Sequence, residues 1–179
     1  MKNDISKVLI SREELQAIVD KIGKQITEDY RDKDLLMVSI LKGSVIFVAD
    51  LMRAVEVNCA IDFMAVSSYG SGTKTSGVVK IIKDLDKPID GKDVLIVEDI
   101  LDSGMTLSYI IDMLSARNPA SIKICTLFDK PDRRIMPIKA DYIGARVPDE
   151  FIVGYGLDYA EKYRNLPYIG VLKPEIYND

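Results

Sequence analysis

The residues with the densest chemistry in this chain run Leu95-Ile96-Val97-Glu98-Asp99-Ile100-Leu101-Asp102-Ser103-Gly104-Met105-Thr106. Glu98, Asp99 and Asp102 bring carboxylates, Ser103 and Thr106 bring hydroxyls, and Gly104 lets the backbone approach a ligand closely. Leu107, Ile110, Ile111 and Leu114 then fall at helical spacing, so the Asp-Ser-Gly-x-Thr turn opens a helix. The first amides of a helix lack partners and its dipole favours negative charge there, which makes the turn an anion seat. Carboxylates beside such a seat repel an anion unless a hydroxyl-bearing sugar, a cation or an ionisable base lies between them. The chemistry implied is that of a sugar phosphate. Acids that merely cap a helix would account for the short turn alone, but not for a Glu-Asp pair closing an aliphatic strand.

The elements that must position these groups can be read from periodicity. The aliphatic run from Leu95 reads as a buried parallel strand ending in the two acids. A second strand–turn–helix unit precedes it. Leu35 to Leu41 is a buried strand, Lys42-Gly43-Ser44 a small cationic turn, and Val45, Phe47, Val48, Leu51, Met52 and Val55 a helix. Beside the acidic motif, this turn reads as a diphosphate seat rather than a solvated loop. Ser11-Arg12-Glu13-Glu14 is a capping box that starts a scaffold helix carrying Leu15, Ile18, Val19, Ile22 and Ile26. Ala60 to Val66 and Val78 to Ile82 are strands. Between them the segment from Ser67 to Gly77 is too polar and glycine-rich to pack, and suits a lid that is mobile without ligand, Lys74 included. Ile122 to Phe128, Asp141 to Val147 and Phe151 to Tyr155 are further strands, and Tyr168 to Leu172 closes the chain. The charged loop from Asp129 to Arg134 lies at a strand's carboxyl end, where open α/β sheets collect ligands.

Composition narrows the function classes. The chain has 179 residues, enough for one domain, with 47% hydrophobic and 29% charged residues. A formal net charge of −4 argues against a general nucleic-acid or anionic-membrane binder. No apolar run reaches membrane-spanning length, and the first residues lack the apolar core of a secretory signal, so a cytoplasmic location is expected. Cys59 and Cys125 sit in apolar strand contexts and read as buried packing residues without a zinc signature. There is no histidine, which removes Ser-His-Asp and Cys-His catalysis. What remains is carboxylates, lysines, hydroxyls, backbone amides, or an oxygen-ligated cation such as Mg²⁺. The motif is neither Gly-x-Gly-x-x-Gly after a strand nor Gly-Lys-Ser/Thr.

Taken together, Leu41-Lys42-Gly43, Ser68-Tyr69, Glu98 to Thr106 and Phe151-Ile152-Val153-Gly154-Tyr155-Gly156-Leu157-Asp158-Tyr159 resemble the 6-oxopurine branch of the type I phosphoribosyltransferases, the hypoxanthine and hypoxanthine-guanine enzymes, from end to end. Met105 stands where some members carry Lys. The resemblance implies an α/β fold: a mainly parallel twisted sheet flanked by helices, in one domain over residues 1–179, with a small hood formed by terminal segments, mainly the C-terminal one. It implies transfer of a phosphoribosyl group from phosphoribosyl diphosphate (PRPP) to hypoxanthine or guanine, with Mg²⁺ required. In that scheme Lys42, Gly43 and Arg164 bind diphosphate, Glu98 and Asp99 hold the ribose hydroxyls, and Ser103, Gly104, Met105 and Thr106 seat the 5′-phosphate. Asp102 serves as the base. Lys130, Phe151, Ile152 and Asp158 recognise the purine, Ser68 and Tyr69 form the lid, and Asp158, Glu98 and Asp99 face the metal. A homodimer or homotetramer is expected. Two alternatives stay open: a xanthine-preferring transferase, and an RNA-binding regulator on the same fold, for which Arg133-Arg134 is the one basic doublet in view.

Overall fold

A computed structural model describes residues 1–68 and 79–177. In chain order the elements are β1 (Ile5–Ile10), α1 (Arg12–Asp29), β2 (Leu35–Leu41), α2 (Val45–Ala54), β3 (Cys59–Ser68) and β4 (Val79–Lys83). They continue with β5 (Asp93–Leu101), α3 (Met105–Ser115), β6 (Ser121–Asp129), β7 (Tyr142–Arg146), β8 (Ile152–Val153) and β9 (Ile169–Leu172). The capping box forms as the sequence predicts. The Ser11 hydroxyl accepts from the Glu14 amide at 3.2 Å, and the Glu14 carboxylate accepts from the Ser11 amide at 2.7 Å. Such a cap contributes about 1 kcal/mol.

The main sheet has six strands in the order β4-β3-β2-β5-β6-β7. All neighbours pair in parallel except β4, which is antiparallel to β3 at the edge. The aliphatic runs are continuous because both faces are covered. Leu35, Met37, Leu95 and Val97 pack with Leu15, Val19 and Ile22 of α1 and Phe47 and Leu51 of α2. Leu36, Val38, Ile40, Val94 and Ile96 point the other way, against Leu107, Ile110 and Leu114 of α3. From β2 the chain crosses through α2 to β3 on one side; from β5 it crosses through α3 to β6 on the other. Neighbouring β2 and β5 therefore send their carboxyl ends apart, and a crevice opens between them.

A second, three-stranded sheet in the order β1-β9-β8 stands over this end. The sequence reading left residues 5–10 without an element. Ser6, Lys7 and Val8 are all exposed, so the segment has no alternation to betray it, and its extended state comes from antiparallel pairing with β9. Both ends of the chain thus build this sheet. Two further differences matter for the site. β5 does not stop at the acids but runs on to Leu101. β8 covers only Ile152–Val153, because Tyr155 and Gly156, with φ of 48° and 103°, turn the chain back in a tight Gly154–Leu157 bridge. Among the described residues no helix is long and apolar enough to cross a membrane.

Candidate functional site

The crevice between β2 and β5 holds a cleft of about 360 Å³. Its floor is the run Glu98 to Leu107, one wall is Leu41-Lys42-Gly43, and Asp158 and Arg164 close it from the second sheet. Gly104 caps α3 with φ of 81°, a left-handed conformation that a side chain would strain. That twist turns the chain sharply from strand into helix, leaving the first-turn amides of Met105 and Thr106 facing the cleft. The Ser103 hydroxyl accepts from the Met105 amide at 3.4 Å. Beneath, the Ser103 carbonyl accepts from the amides of Ile135 and Met136, each at 3.0 Å. The loop is therefore braced before any anion arrives.

Glu98 and Asp99 stand side by side on the floor, Asp99 only 9% exposed. Burial, then the neighbouring Asp99 carboxylate, pushes the Glu98 carboxyl well above its ordinary value. Burial also raises Asp99, opposed by hydrogen bonds from Glu98 and from the Ile100 amide. A carboxyl raised on folding favours the folded state at low pH, and loses that contribution as pH climbs from the ordinary value through the raised one. The pair is thus a cost to the empty protein near neutrality. Glu98→Gln is expected to be more stable than wild type at pH 7 by about 1 kcal/mol, or roughly 2–4 °C in Tm, with the gain vanishing toward pH 4. Thermal melts across pH check this; equal Tm values at pH 7 would contradict it.

The β2 wall is built from hydroxyls and close backbone. Buried Ser44 donates to the Ile40 carbonyl, and its oxygen lies 2.7 Å from that of buried Ser39, fixing the turn. The Leu41–Lys42 peptide is cis. A Cβ on Gly43 would collide with the Asp99 carboxylate, and a Cβ on Gly156 would collide with the Gly43 carbonyl. Lys42 reaches Glu161 at 2.8 Å. Arg164 donates to the Gly156 carbonyl at 2.8 Å and pairs with Asp158 at 3.0 Å and Glu161 at 3.1 Å, while its Nε is buried without a partner among the described residues.

A second chamber, of about 510 Å³, adjoins the first and shares Ile100, Asp102 and Asp158 with it. Asp102 thus lies on the partition. Its Oδ1 is buried without a hydrogen-bond partner among the described residues, and its carbonyl accepts from Arg134 Nε at 2.8 Å. Lys130, expected either in the site or in solvent, is buried at 6% exposure and lines this chamber. Its ammonium donates to the Glu150 carbonyl at 3.1 Å and pairs with Asp149 at 3.0 Å. Phe151 is 37% exposed, not part of a packed core. Its ring stacks on Tyr177 with centroids 4.7 Å apart and meets the Tyr159 edge at 5.5 Å. Ile152 is buried in β8 beside it.

Every purine-side and phosphate-side residue expected from sequence therefore lines one of the two adjoining chambers. Ser68 ends β3, its backbone in register with Val79 of β4, and Tyr69 and Lys74 lie outside the described residues. Cys125 is buried as expected; Cys59 is only half-buried. Among the described residues no three acidic, cysteine or histidine side chains converge as a metal cage. The donors on offer are the Glu98–Asp99 pair and Asp158, all oxygen. That suits Mg²⁺, which takes one or two carboxylates and completes its shell with substrate oxygens and water.

Sequence reasoning missed the work of Arg134. Its guanidinium donates to the carbonyls of Asp102, Leu101 and Ile138 and pairs with buried Asp129. Nothing local distinguishes it from a surface arginine; only the fold brings those carbonyls around it. Arg133 pairs with Asp149 at 2.6 Å. The Arg133-Arg134 doublet is therefore not a free basic face, which removes the feature that the RNA-binding alternative needed.

Comparison with known proteins gives a consistent set of relatives. Residues 11–160 match the model of the phosphoribosyl transferase domain. The chain is 56% identical over 177 residues to the hypoxanthine-guanine phosphoribosyltransferase of Bacillus subtilis, covering 99% of this chain and 98% of that one. It is 55% identical over its full length to the Bifunctional protein TilS/HprT of Listeria monocytogenes, of which it spans 28%. Among solved structures, a hypoxanthine phosphoribosyltransferase from Staphylococcus aureus superposes with a TM-score of 0.97 at 53% identity, covering 100% of this chain and 97% of that one.

Proposed function

This chain belongs to the phosphoribosyl transferase family, with the type I fold, and from that premise we propose that it transfers the 5-phosphoribosyl group of PRPP to N9 of hypoxanthine or guanine in purine salvage. The reading rests above all on one arrangement: an anion seat and an acid pair in one chamber, a buried lysine in the next, and Asp102 on the partition.

The chemistry assigns each group a task. The bond between C1′ and the diphosphate oxygen breaks as the bond from purine N9 forms, so positive charge develops on the ribose ring. The amides of Gly104 to Thr106, with the Ser103 and Thr106 hydroxyls, hold the 5′-phosphate. Glu98 and Asp99 accept from the ribose 2′- and 3′-hydroxyls, and their charge favours the developing cation. Lys42 and Arg164 neutralise the departing diphosphate. Mg²⁺, held by substrate oxygens with the Glu98–Asp99 pair and Asp158 nearby, would add further charge neutralisation. Asp102 accepts the proton that leaves N7 as N9 attacks. Lys130 donates to the purine 6-oxo group, Phe151 stacks on the ring, and Ile152 and Asp158 face the 2-position. Ser68 and Tyr69 would cover the donor and exclude water. The reading carries with it a homodimer or homotetramer in the cytoplasm.

A base panel tests the proposal. With PRPP and Mg²⁺, hypoxanthine and guanine are expected to yield IMP and GMP with release of pyrophosphate, and adenine to yield no AMP. Preference for xanthine would move the chain to the neighbouring specificity class. Failure with all four bases would overturn the reading.

A further inference from the structure

Both cations assigned to the diphosphate pair with one carboxylate. Glu161 Oε2 lies 2.8 Å from Lys42 Nζ, and Glu161 Oε1 lies 3.1 Å from Arg164 Nη2. Lys42 follows the end of β2, Arg164 lies in the segment between β8 and β9, and both line the first chamber. Glu161 spans the gap between them, as two oxygens of a diphosphate would.

Its placement is built rather than accidental. Tyr159 and Lys162 exchange backbone hydrogen bonds at 3.2 and 3.0 Å, and the two residues between them, Ala160 and Glu161, have φ of 51° and 62°. Positive φ at both central positions is the pattern of a type I′ turn, which normally takes Asn or Gly. Two side-chain-bearing residues are strained there. Asp158 holds the turn by accepting from the Glu161 amide at 2.8 Å, while its other oxygen pairs with Arg164. Lys42 and Arg164 in turn hold the Glu161 carboxyl below its ordinary value.

We propose that Glu161 is a built-in competitor of the diphosphate, exchanging places with it on Lys42 and Arg164. The idea rests on the proposed function for the identity of the incoming anion. Glu161 meets the charge of Lys42 and shares Arg164 with Asp158 until the diphosphate replaces it. After transfer, it returns to them and hastens the departure of pyrophosphate. Both members of the Lys42–Glu161 pair are largely exposed, at 66% and 64%, so the competition is mild and reversible rather than a lock.

The test uses Glu161→Gln, which keeps size and removes charge, with Glu161→Asp as a second variant whose shorter arm cannot span both cations. Binding of inorganic pyrophosphate with Mg²⁺ is measured by titration calorimetry on wild type and both variants, alongside steady-state kinetics. Glu161→Gln is expected to bind pyrophosphate about three- to tenfold more tightly and to lower KM for PRPP comparably, with KM for hypoxanthine unmoved. Glu161→Asp is expected to fall between. Unchanged or weaker pyrophosphate binding by the Gln variant overturns the proposal, because it makes Glu161 a mere prop for the turn or for Lys42. Absence of pyrophosphate binding in wild type also overturns it. If wild type binds pyrophosphate and the Gln variant binds it more tightly while neither makes nucleotide, the transferase reading falls and this one stands.

Discussion

Asp102→Asn is expected to lower kcat by about 10²- to 10⁴-fold while leaving PRPP binding largely intact, the range that positioned proton transfer supplies. The asymmetry follows from where the residue stands. Its Oδ1 is enclosed, with no hydrogen-bond partner among the described residues, where the two chambers meet, so it is an acceptor available to the proposed transfer. Its main chain is fixed independently, through the carbonyl that accepts from Arg134. An amide of the same shape leaves that brace and the phosphate seat in place and removes only the ability to take a proton. Calorimetry with PRPP and single-turnover kinetics separate the two effects. Wild-type turnover in the Asn variant would mean that another group handles the N7 proton.

Lys130→Ala carries the second large effect, on the base rather than the donor. kcat/KM for hypoxanthine is expected to fall about ten- to a hundredfold, KM for PRPP to hold, and the preference over adenine to narrow. The ammonium is held by the Glu150 carbonyl and by Asp149, which fix its orientation at the chamber wall. A 6-oxo group completes its donor set, whereas a 6-amino group would leave buried donors facing donors. Truncation does not strand Asp149, which keeps its pairing with Arg133, so the fold should tolerate the change. An unaltered KM for hypoxanthine, with unaltered preference over adenine, would defeat the assignment.

Much of this site was legible because local sequence and global fold agree there. The aliphatic strands, the glycine turns and the capped helices each announce themselves within a short window, and the acids follow a strand in the same window. The illegible parts are those whose state is decided elsewhere. β1 is strand only because β9 lies beside it. Arg134 is held by four acceptors, two of them, Leu101 and Asp102, brought from far along the chain by the fold. Glu161 reads as one more surface acid in Glu161-Lys162-Tyr163-Arg164 until the Tyr159–Lys162 turn swings it across to Lys42. Phe151 reads from sequence as a base-stacking residue rather than core packing; its ring, 37% exposed beside Tyr159 and Tyr177, is not enclosed in the core.

Gly156 rests against the Gly43 carbonyl, and Gly43 against the Asp99 carboxylate. Gly156 and Gly43 thus meet main chain on main chain, and Gly43 in turn bears on the Asp99 side chain, so two glycines and one carboxylate set the gauge of the slot. Exchanges at Lys130, Phe151 and Ile152 can reshape the second chamber, whereas a side chain added at Gly43 or Gly156 collides with Asp99 or with the Gly43 carbonyl. On the proposed function, change should therefore be lopsided: new bases come within reach of a few substitutions, while a bulkier ribosyl donor would require both glycine turns and the acid beside them to be rebuilt together.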